Sequence, residues 1–175
     1  MSTQQLDLKQ FIRDVPDFPV PGVLFRDITP LLKNVEALQH VVGRFTEHYR
    51  AYPVEAVVGI ESRGFIFGVP LAYNLGVPFV PIRKPGKLPA ARMSVEYALE
   101  YGNSQLDIHA DALERGQRAV IIDDLLATGG TAAAAAKLVE LVGGEVLSVG
   151  FLIELTFLHG RDRLRGYDVF TMVTY

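Results

Sequence analysis

Two adjacent carboxylates, Asp123 and Asp124, stand just before the run Leu125-Leu126-Ala127-Thr128-Gly129-Gly130-Thr131. Glycines leading into a helix offer free backbone N–H groups and the positive end of a helix dipole, which together suit an anion such as phosphate. Carboxylates beside that site accept hydrogen bonds from hydroxyl groups. These residue types suit a ligand that carries both a phosphate and hydroxyls. Two other places carry matching charge. Arg63 lies in Glu61-Ser62-Arg63-Gly64, and Arg83, Lys84 and Lys87 surround Pro85-Gly86. A glycine after a charged strand end suggests close backbone approach to a ligand, and three cations could neutralise a phosphate-rich one. Each feature also has a plainer reading: a tight β-to-α turn with a threonine cap, an exposed arginine, a solvated basic turn. The residues alone leave both readings open.

The elements that must position these groups follow from pattern. Ala119 to Ile122 is a short apolar run rich in β-branched residues, suited to a strand buried on both faces of a parallel sheet. The acidic pair then falls where that strand is expected to end. Residues 132–142 are strong helix formers. In open α/β sheets ligands sit beyond the carboxyl ends of strands, which is where this pair and loop are expected. The loop is neither a Walker loop, since no Gly-Lys-Ser/Thr closes it, nor a dinucleotide fingerprint, since Gly-x-Gly-x-x-Gly is absent.

Further strands are expected at 54–60, 77–82 (with Pro81 pointing to an edge), 106–110, 145–154 and 169–173. Helices are expected at 4–13, 34–50 and 65–74. The last is mostly apolar and so expected to be buried, with Gly76 as its C-cap. Residues 17–30 hold three prolines and a glycine among apolar residues, so an ordered but irregular arm is expected there. Residues 90–103 alternate only weakly and read as a mobile, partly β excursion, and long excursions of this kind often act as lids. His40, His48, His109 and His159 are scattered and read as surface or capping residues.

At 175 residues with 49% hydrophobic and 21% charged side chains, one soluble globular domain over 1–175 is expected. A net charge of −3 argues against sequence-independent nucleic-acid binding. There are no cysteines, hence no disulfide framework. No basic n-region with an apolar stretch opens the chain, and no apolar run approaches the roughly 18 residues a membrane span needs. A cytoplasmic protein without membrane or nucleic-acid partners is expected.

The string from Ala119 to Thr131 resembles the signature of type I phosphoribosyltransferases. There the acidic pair holds the ribose hydroxyls of phosphoribosyl pyrophosphate (PRPP) and the loop holds its 5-phosphate, a role carried here to Asp123, Asp124, Ala127, Thr128, Gly129, Gly130 and Thr131. Four further strings are similar to those of adenine phosphoribosyltransferases. Phe18-Pro19-Val20-Pro21-Gly22-Val23-Leu24-Phe25-Arg26-Asp27-Ile28-Thr29-Pro30 resembles that family's hood over the base, implying adenine contacts at Leu24, Phe25 and Arg26 and a hood over 1–33. Glu61-Ser62-Arg63-Gly64 resembles its pyrophosphate loop, which often carries a cis or strained peptide. Arg83-Lys84-Pro85-Gly86-Lys87-Leu88-Pro89 resembles its basic turn, implying pyrophosphate contacts at Lys84 and Lys87, in part from the neighbouring subunit of a homodimer. Tyr97 to Gly102 resembles its closing loop, implying a mobile segment over 84–102 with Glu100 near the purine imidazole and Tyr101 in the lid. Leu155, in Glu154-Leu155-Thr156, matches a leucine that lines the base pocket, although the residue itself reads equally well as core.

The resemblance covers almost the whole chain. It implies an α/β type I phosphoribosyltransferase fold with a central parallel sheet of about five strands flanked by helices. The implied reaction joins adenine to PRPP to give AMP and pyrophosphate in purine salvage, with Arg63 and Glu100 catalytic. Mg²⁺ is implied, held mainly by substrate and water and without a protein ligand set. The alternatives are transfer to another purine base and a non-catalytic PRPP-sensing regulator, for which the chain shows no spare DNA-binding region. If Glu100 accepts a proton in the reaction, Glu100→Gln lowers kcat by about 10²- to 10⁴-fold while PRPP affinity changes little. Steady-state kinetics beside equilibrium PRPP binding check this, and an unchanged kcat removes Glu100 from the chemistry.

Overall fold

The computed structural model describes residues 6–99 and 102–175. The chain divides into two compact units, residues 1–44 and 45–175. The first holds a 3₁₀ turn (Leu8–Phe11), strands β1 (Arg13–Pro16) and β2 (Leu24–Asp27), the short helix α1 (Thr29–Lys33) and most of helix α2 (Val35–Tyr49). It differs from the expected amphipathic helix and irregular arm. Asp7 caps only the short turn through the Lys9 N–H, and the chain then extends at Arg13 to pair antiparallel with 24–27. Three ion pairs and hydrogen bonds between the strands and the residues beside them (Arg13 with Asp27 and Thr29, Arg26 with Asp14) supply what a pattern count does not see. Pro19 and Pro21 lie in the connection, where the Phe18–Pro19 peptide is cis, while Pro16 ends β1 and Pro30 stands in the first turn of α1.

The second unit contains β3 (Ala56–Ile60), α3 (Arg63–Leu75), β4 (Phe79–Ile82), the pair β5 (Arg92–Leu99) and β6 (Gly102–His109), β7 (Arg118–Leu126), α4 (Gly130–Leu141), β8 (Glu145–Glu154) and β9 (Asp168–Thr174). Five strands form one parallel sheet in the order β4-β3-β7-β8-β9. Pro81 lies in β4, an edge strand, where a missing N–H costs least. The apolar run 119–122 is wholly buried, as a strand covered on both faces must be. Its Ala119 and Ile121 join the cluster that α4 covers with Ala132, Ala135, Ala136 and Leu138. Helix α4 ends in a Schellman turn, with the Gly144 N–H on the Val139 carbonyl and the Gly143 N–H on that of Glu140.

Three expectations change. Residues 92–99 and 102–109 pair as a regular antiparallel hairpin of two eight-residue strands. The strand expected at 106–110 is there but starts earlier, at Gly102, and Asp107, fully buried between Leu106 and Ile108, accepts hydrogen bonds from Ser94 and Gln105 of the pair. Helix α3 buries only one face, through Phe67, Leu71 and Ala72, and leaves Ile66, Val69 and Tyr73 36%, 49% and 86% exposed. His48 is half-buried and not simply exposed, with its ring stacked on Phe170 at 3.8 Å.

Close approach of α3 to β3 depends on two glycines. A Cβ at Gly59 would come within 2.6 Å of the Phe79 ring, and one at Gly68 within 2.8 Å of it. Gly59→Ala therefore overpacks this layer and costs about 1–3 kcal/mol. Thermal unfolding should show a loss of about 2–4 °C per kcal/mol, and an unchanged Tm would mean the Phe79 ring has room to move aside.

Candidate active site

The carboxyl end of β7 is where the chemistry collects. Strand β3 pairs with β7 only as far as Gly59 opposite Ile122, whereas β8 continues to Glu154 opposite Leu126. Asp123 and Asp124 thus lie within β7, not beyond its end as expected. Pairing with β8 keeps the backbone extended through them, while their other side is open. The start of α3 fills part of that opening. A Cβ at Gly64 would stand 2.5 Å from the Ile122 carbonyl oxygen, so only glycine allows this approach. It brings Arg63 into an ion pair with Asp124.

A cleft of about 210 Å³ results, lined by Arg63, Asp123, Asp124, and every residue from Leu125 to Ala132. The predicted ribose and 5-phosphate residues, Asp123, Asp124 and 127–131, thus share one wall with Arg63. Helix α4 begins at Gly130 behind Gly129, which has φ 81°, and no side chain caps it. Neither Thr128 nor Thr131 is used as a cap, so the first N–H groups of the helix keep their capacity for an outside acceptor. The loop is braced from behind by Gly160, whose carbonyl oxygen lies 2.3 Å from where a Gly129 Cβ would be.

The two carboxylates are unlike. Asp124 is buried against Arg63. Asp123 accepts the Asp124 N–H at 2.9 Å. Burial, and then the adjacent Asp124 charge, push the Asp123 carboxyl well above the ordinary carboxylate range, against the opposing pull of that N–H and of Arg63.

The predicted pyrophosphate residues are arranged around Glu61. The Glu61–Ser62 peptide is cis. The Glu61 carboxylate accepts the Lys84 N–H at 2.9 Å and two bonds from the Arg83 guanidinium at 3.2 and 3.3 Å. The Lys84 N–H, with Arg83 and Lys87 behind it, holds its pKa below the usual value. Glu61 is therefore spent on pinning the basic turn to the loop, while Ser62, Lys84 and Lys87 are exposed. Leu155 is buried, with its N–H on the Leu126 carbonyl at 2.9 Å. In the first unit Leu24 is exposed, Phe25 meets Phe18 edge to face at 5.1 Å, and Arg26 pairs with Asp14. Glu100 and Tyr101 lie outside the described residues.

Two groups beside the loop were not singled out as site residues by the sequence. Tyr97 shares a 3.2 Å hydrogen bond with Thr131, and the Arg163 guanidinium comes within 3.4 Å of the Cβ position of Gly130. Tyr97 stands inside the Tyr97–Gly102 string but carried no signal of its own, and Arg163 depends on a fold-back from 33 residues further along the chain that spacing cannot reveal.

The phosphoribosyl transferase domain family matches residues 28–173. The adenine phosphoribosyltransferase of Chloroflexus aurantiacus is 57% identical over 97% of this chain and 98% of its own length. The chain belongs to the adenine phosphoribosyltransferase family. The crystal structure of the Thermoanaerobacter pseudethanolicus adenine phosphoribosyltransferase is similar with a TM-score of 0.94 and 53% identity, covering 96% of this chain and 98% of that one. That of the Saccharomyces cerevisiae adenine phosphoribosyltransferase, complexed with an imino-altritol bisphosphate and adenine, has a TM-score of 0.89 and 43% identity, covering 94% and 95%. The five-stranded parallel sheet flanked by helices is the type I phosphoribosyltransferase fold of these relatives.

The raised Asp123 pKa has a consequence for stability. A carboxyl whose folded pKa exceeds its unfolded value near 3.9 destabilises the fold increasingly as pH rises above the unfolded pKa, and fully above the folded one. Asp123→Asn keeps the acceptor for the Asp124 N–H and removes that burden. It should raise Tm at neutral pH, with the gain shrinking towards pH 4, while activity falls. Calorimetry of both proteins across pH checks this; a gain that grew on acidification would contradict the assigned direction.

Proposed function

We propose that this chain transfers the 5-phosphoribosyl group of PRPP to adenine, giving AMP and pyrophosphate. The observation that carries the reading is the single cleft joining the acidic pair, Arg63 and an uncapped helix start. It offers hydroxyl acceptors, a cation and phosphate-directed N–H groups in one place. The yeast relative's adenine and bisphosphate complex supports the same substrate chemistry.

In this reading Thr128 to Thr131 take the 5-phosphate on backbone N–H groups and hydroxyls. Asp123 and Asp124 accept from the ribose 2- and 3-hydroxyls. Substrate must compete with Arg63 for Asp124, and the guanidinium is thereby freed to turn towards the departing diphosphate. Lys84 and Lys87 add charge on that side. The C1–O bond breaks with its electron pair going to pyrophosphate, purine N9 bonds to C1, and the N7 proton passes to Glu100. Carboxylates near C1 favour the positive charge that develops there. Leu24, Phe25, Arg26 and Leu155 are assigned to the base, and Tyr101 to the closing segment over 84–102.

Mg²⁺ fits the donor chemistry, since the acidic pair supplies hard oxygens but the described residues hold no cluster of three or more metal-binding side chains. A small cation that keeps several waters suits such a partial set completed by substrate oxygens. When bound it would offset the charge of the leaving pyrophosphate. We also read the chain as one functional domain that acts as a homodimer. The apolar stripe of Ile66, Val69 and Tyr73 on α3, at helical spacing and exposed, is the feature that a second copy would cover. Among the described residues no helix is long and apolar enough to cross a membrane, and a cytoplasmic location is the reading that goes with the substrates.

Purified protein with Mg²⁺, PRPP and, separately, adenine, hypoxanthine, guanine and xanthine tests the function. AMP formed from adenine and little from the others is expected. A different preferred base overturns the base assignment alone, and PRPP binding without any product overturns the catalytic reading.

A further inference from the structure

The Thr131 hydroxyl lines the cleft and also meets the Tyr97 hydroxyl of β5 at 3.2 Å. The contact is not incidental to a distant strand. A Cβ at Gly130 would lie 3.5 Å from both Tyr97 Cδ2 and the Ala98 carbonyl oxygen, so β5 rests directly on the first residue of α4. Tyr97 itself does not line the cleft. The rest of the hairpin is held from its other end. Val95, Leu106 and Ile108 enter the core, and Asp107 gathers Ser94, Gln105 and Arg92. Tyr97 is where the outer half of β5 is tied to the anion loop.

We propose that Tyr97 is a positioning residue that couples occupation of the anion loop to the seating of the β5–β6 hairpin. The proposal rests on reading 128–131 as the 5-phosphate site. A threonine hydroxyl has one hydrogen to give. In the structure Thr131 gives it to Tyr97. With a phosphate oxygen on the loop, Thr131 donates to the anion and its oxygen is left to accept, so the Tyr97 hydroxyl becomes the donor. The chain Tyr97 to Thr131 to phosphate then runs in one direction and ends on a charge. Each link polarises the next, which strengthens the hold on the hairpin. A ligand that never touches β5 thus fixes its outer half.

Tyr97→Phe removes one oxygen and keeps the ring against Gly130. Wild type and variant are titrated with ribose 5-phosphate by calorimetry, and amide exchange of the hairpin strands is followed with and without it. In the wild type the ligand should slow exchange in β5 measurably, by up to about 5-fold, the ceiling set by one hydrogen bond near 1 kcal/mol since an existing bond is strengthened. In Tyr97→Phe the ligand should still bind, weakened by no more than about 10-fold, but the slowing should vanish and kcat should fall more than KM for adenine changes. Thr131→Ser, which keeps the hydroxyl, should retain the slowing. Equal slowing in Tyr97→Phe and wild type overturns the proposal, as does a wild type that binds ribose 5-phosphate without any slowing. A wild type that does not bind ribose 5-phosphate overturns the loop assignment, and the proposal with it.

Discussion

Unequal pairing on the two sides of β7 is the constraint from which the site follows. On one side the ladder stops at Ile122; on the other it continues to Leu126. An extended strand that has lost one neighbour keeps its direction but exposes a row of backbone and side-chain groups. Here that row includes both aspartates. Helix α3 enters the gap only because Gly64 has no Cβ to strike the Ile122 carbonyl. Once it is there, Arg63 has little choice of partner, because the buried Asp124 requires a cation. Three separate stretches of chain thus converge through a difference in strand length and a single missing methyl group.

The charges in the site are arranged so that the protein alone does not satisfy them. Two acids stand side by side with one arginine paired to the second, and burial together with the neighbouring charge makes Asp123 resist ionisation. A few residues on, a helix start presents unshared N–H groups. Acceptors without enough donors and donors without acceptors lie along one wall. They are not close enough to cancel, but a ligand with hydroxyls at one end and phosphate at the other satisfies both. Glu61 shows the opposite arrangement. Its carboxylate, which would repel a diphosphate, is fully occupied by Arg83 and the Lys84 N–H. The acid serves to fix the height of a basic turn whose lysines remain exposed.

The parallel sheet was legible because burial on both faces leaves an unbroken apolar run at 119–122 and 149–153, and because Pro81 and Gly76 mark an edge and a helix end by backbone chemistry alone. That Asp123, Asp124 and 127–131 would come together was legible from their closeness in sequence at a strand-to-helix junction, and they do line one cleft, while the residue types alone left a plain turn equally open. Where the sequence misled, long-range pairing had overridden local pattern. The end of β7 was placed too early since nothing in residues 123–126 records how far β8 runs. The first strand of the hairpin, 92–99, fell in the excursion expected over 90–103, since its pairing with 102–109 and not its own alternation makes it a strand. The apolar face of α3 was expected in the core because hydropathy does not say which apolar face a single chain leaves uncovered. The first unit's hairpin depends on pairs such as Arg13 with Asp27, 14 residues apart.

The hairpin's anchoring also says which part of it a ligand can control. Burial is confined to the end nearest the sheet: in β6 Leu106, Asp107 and Ile108 are buried, whereas Gly102 and Asn103 are exposed. That end is further tied to β4 by a pair of backbone bonds between Arg83 and Asp107, at 2.9 and 2.8 Å. Arg83 is in turn held by Glu61, so the basic turn, the cis-peptide loop and the base of the hairpin form one braced unit. Asp107 secures it: burial alone would raise its pKa, but the bonds from Gln105 and Ser94 and the charge of Arg92 outweigh that and keep it a carboxylate. Local openings draw on the least buried contacts first. With the base of the hairpin braced in this way, the outer halves of β5 and β6 are the parts left to respond, and the contact that reaches them from the cleft runs through a hydroxyl on the anion loop.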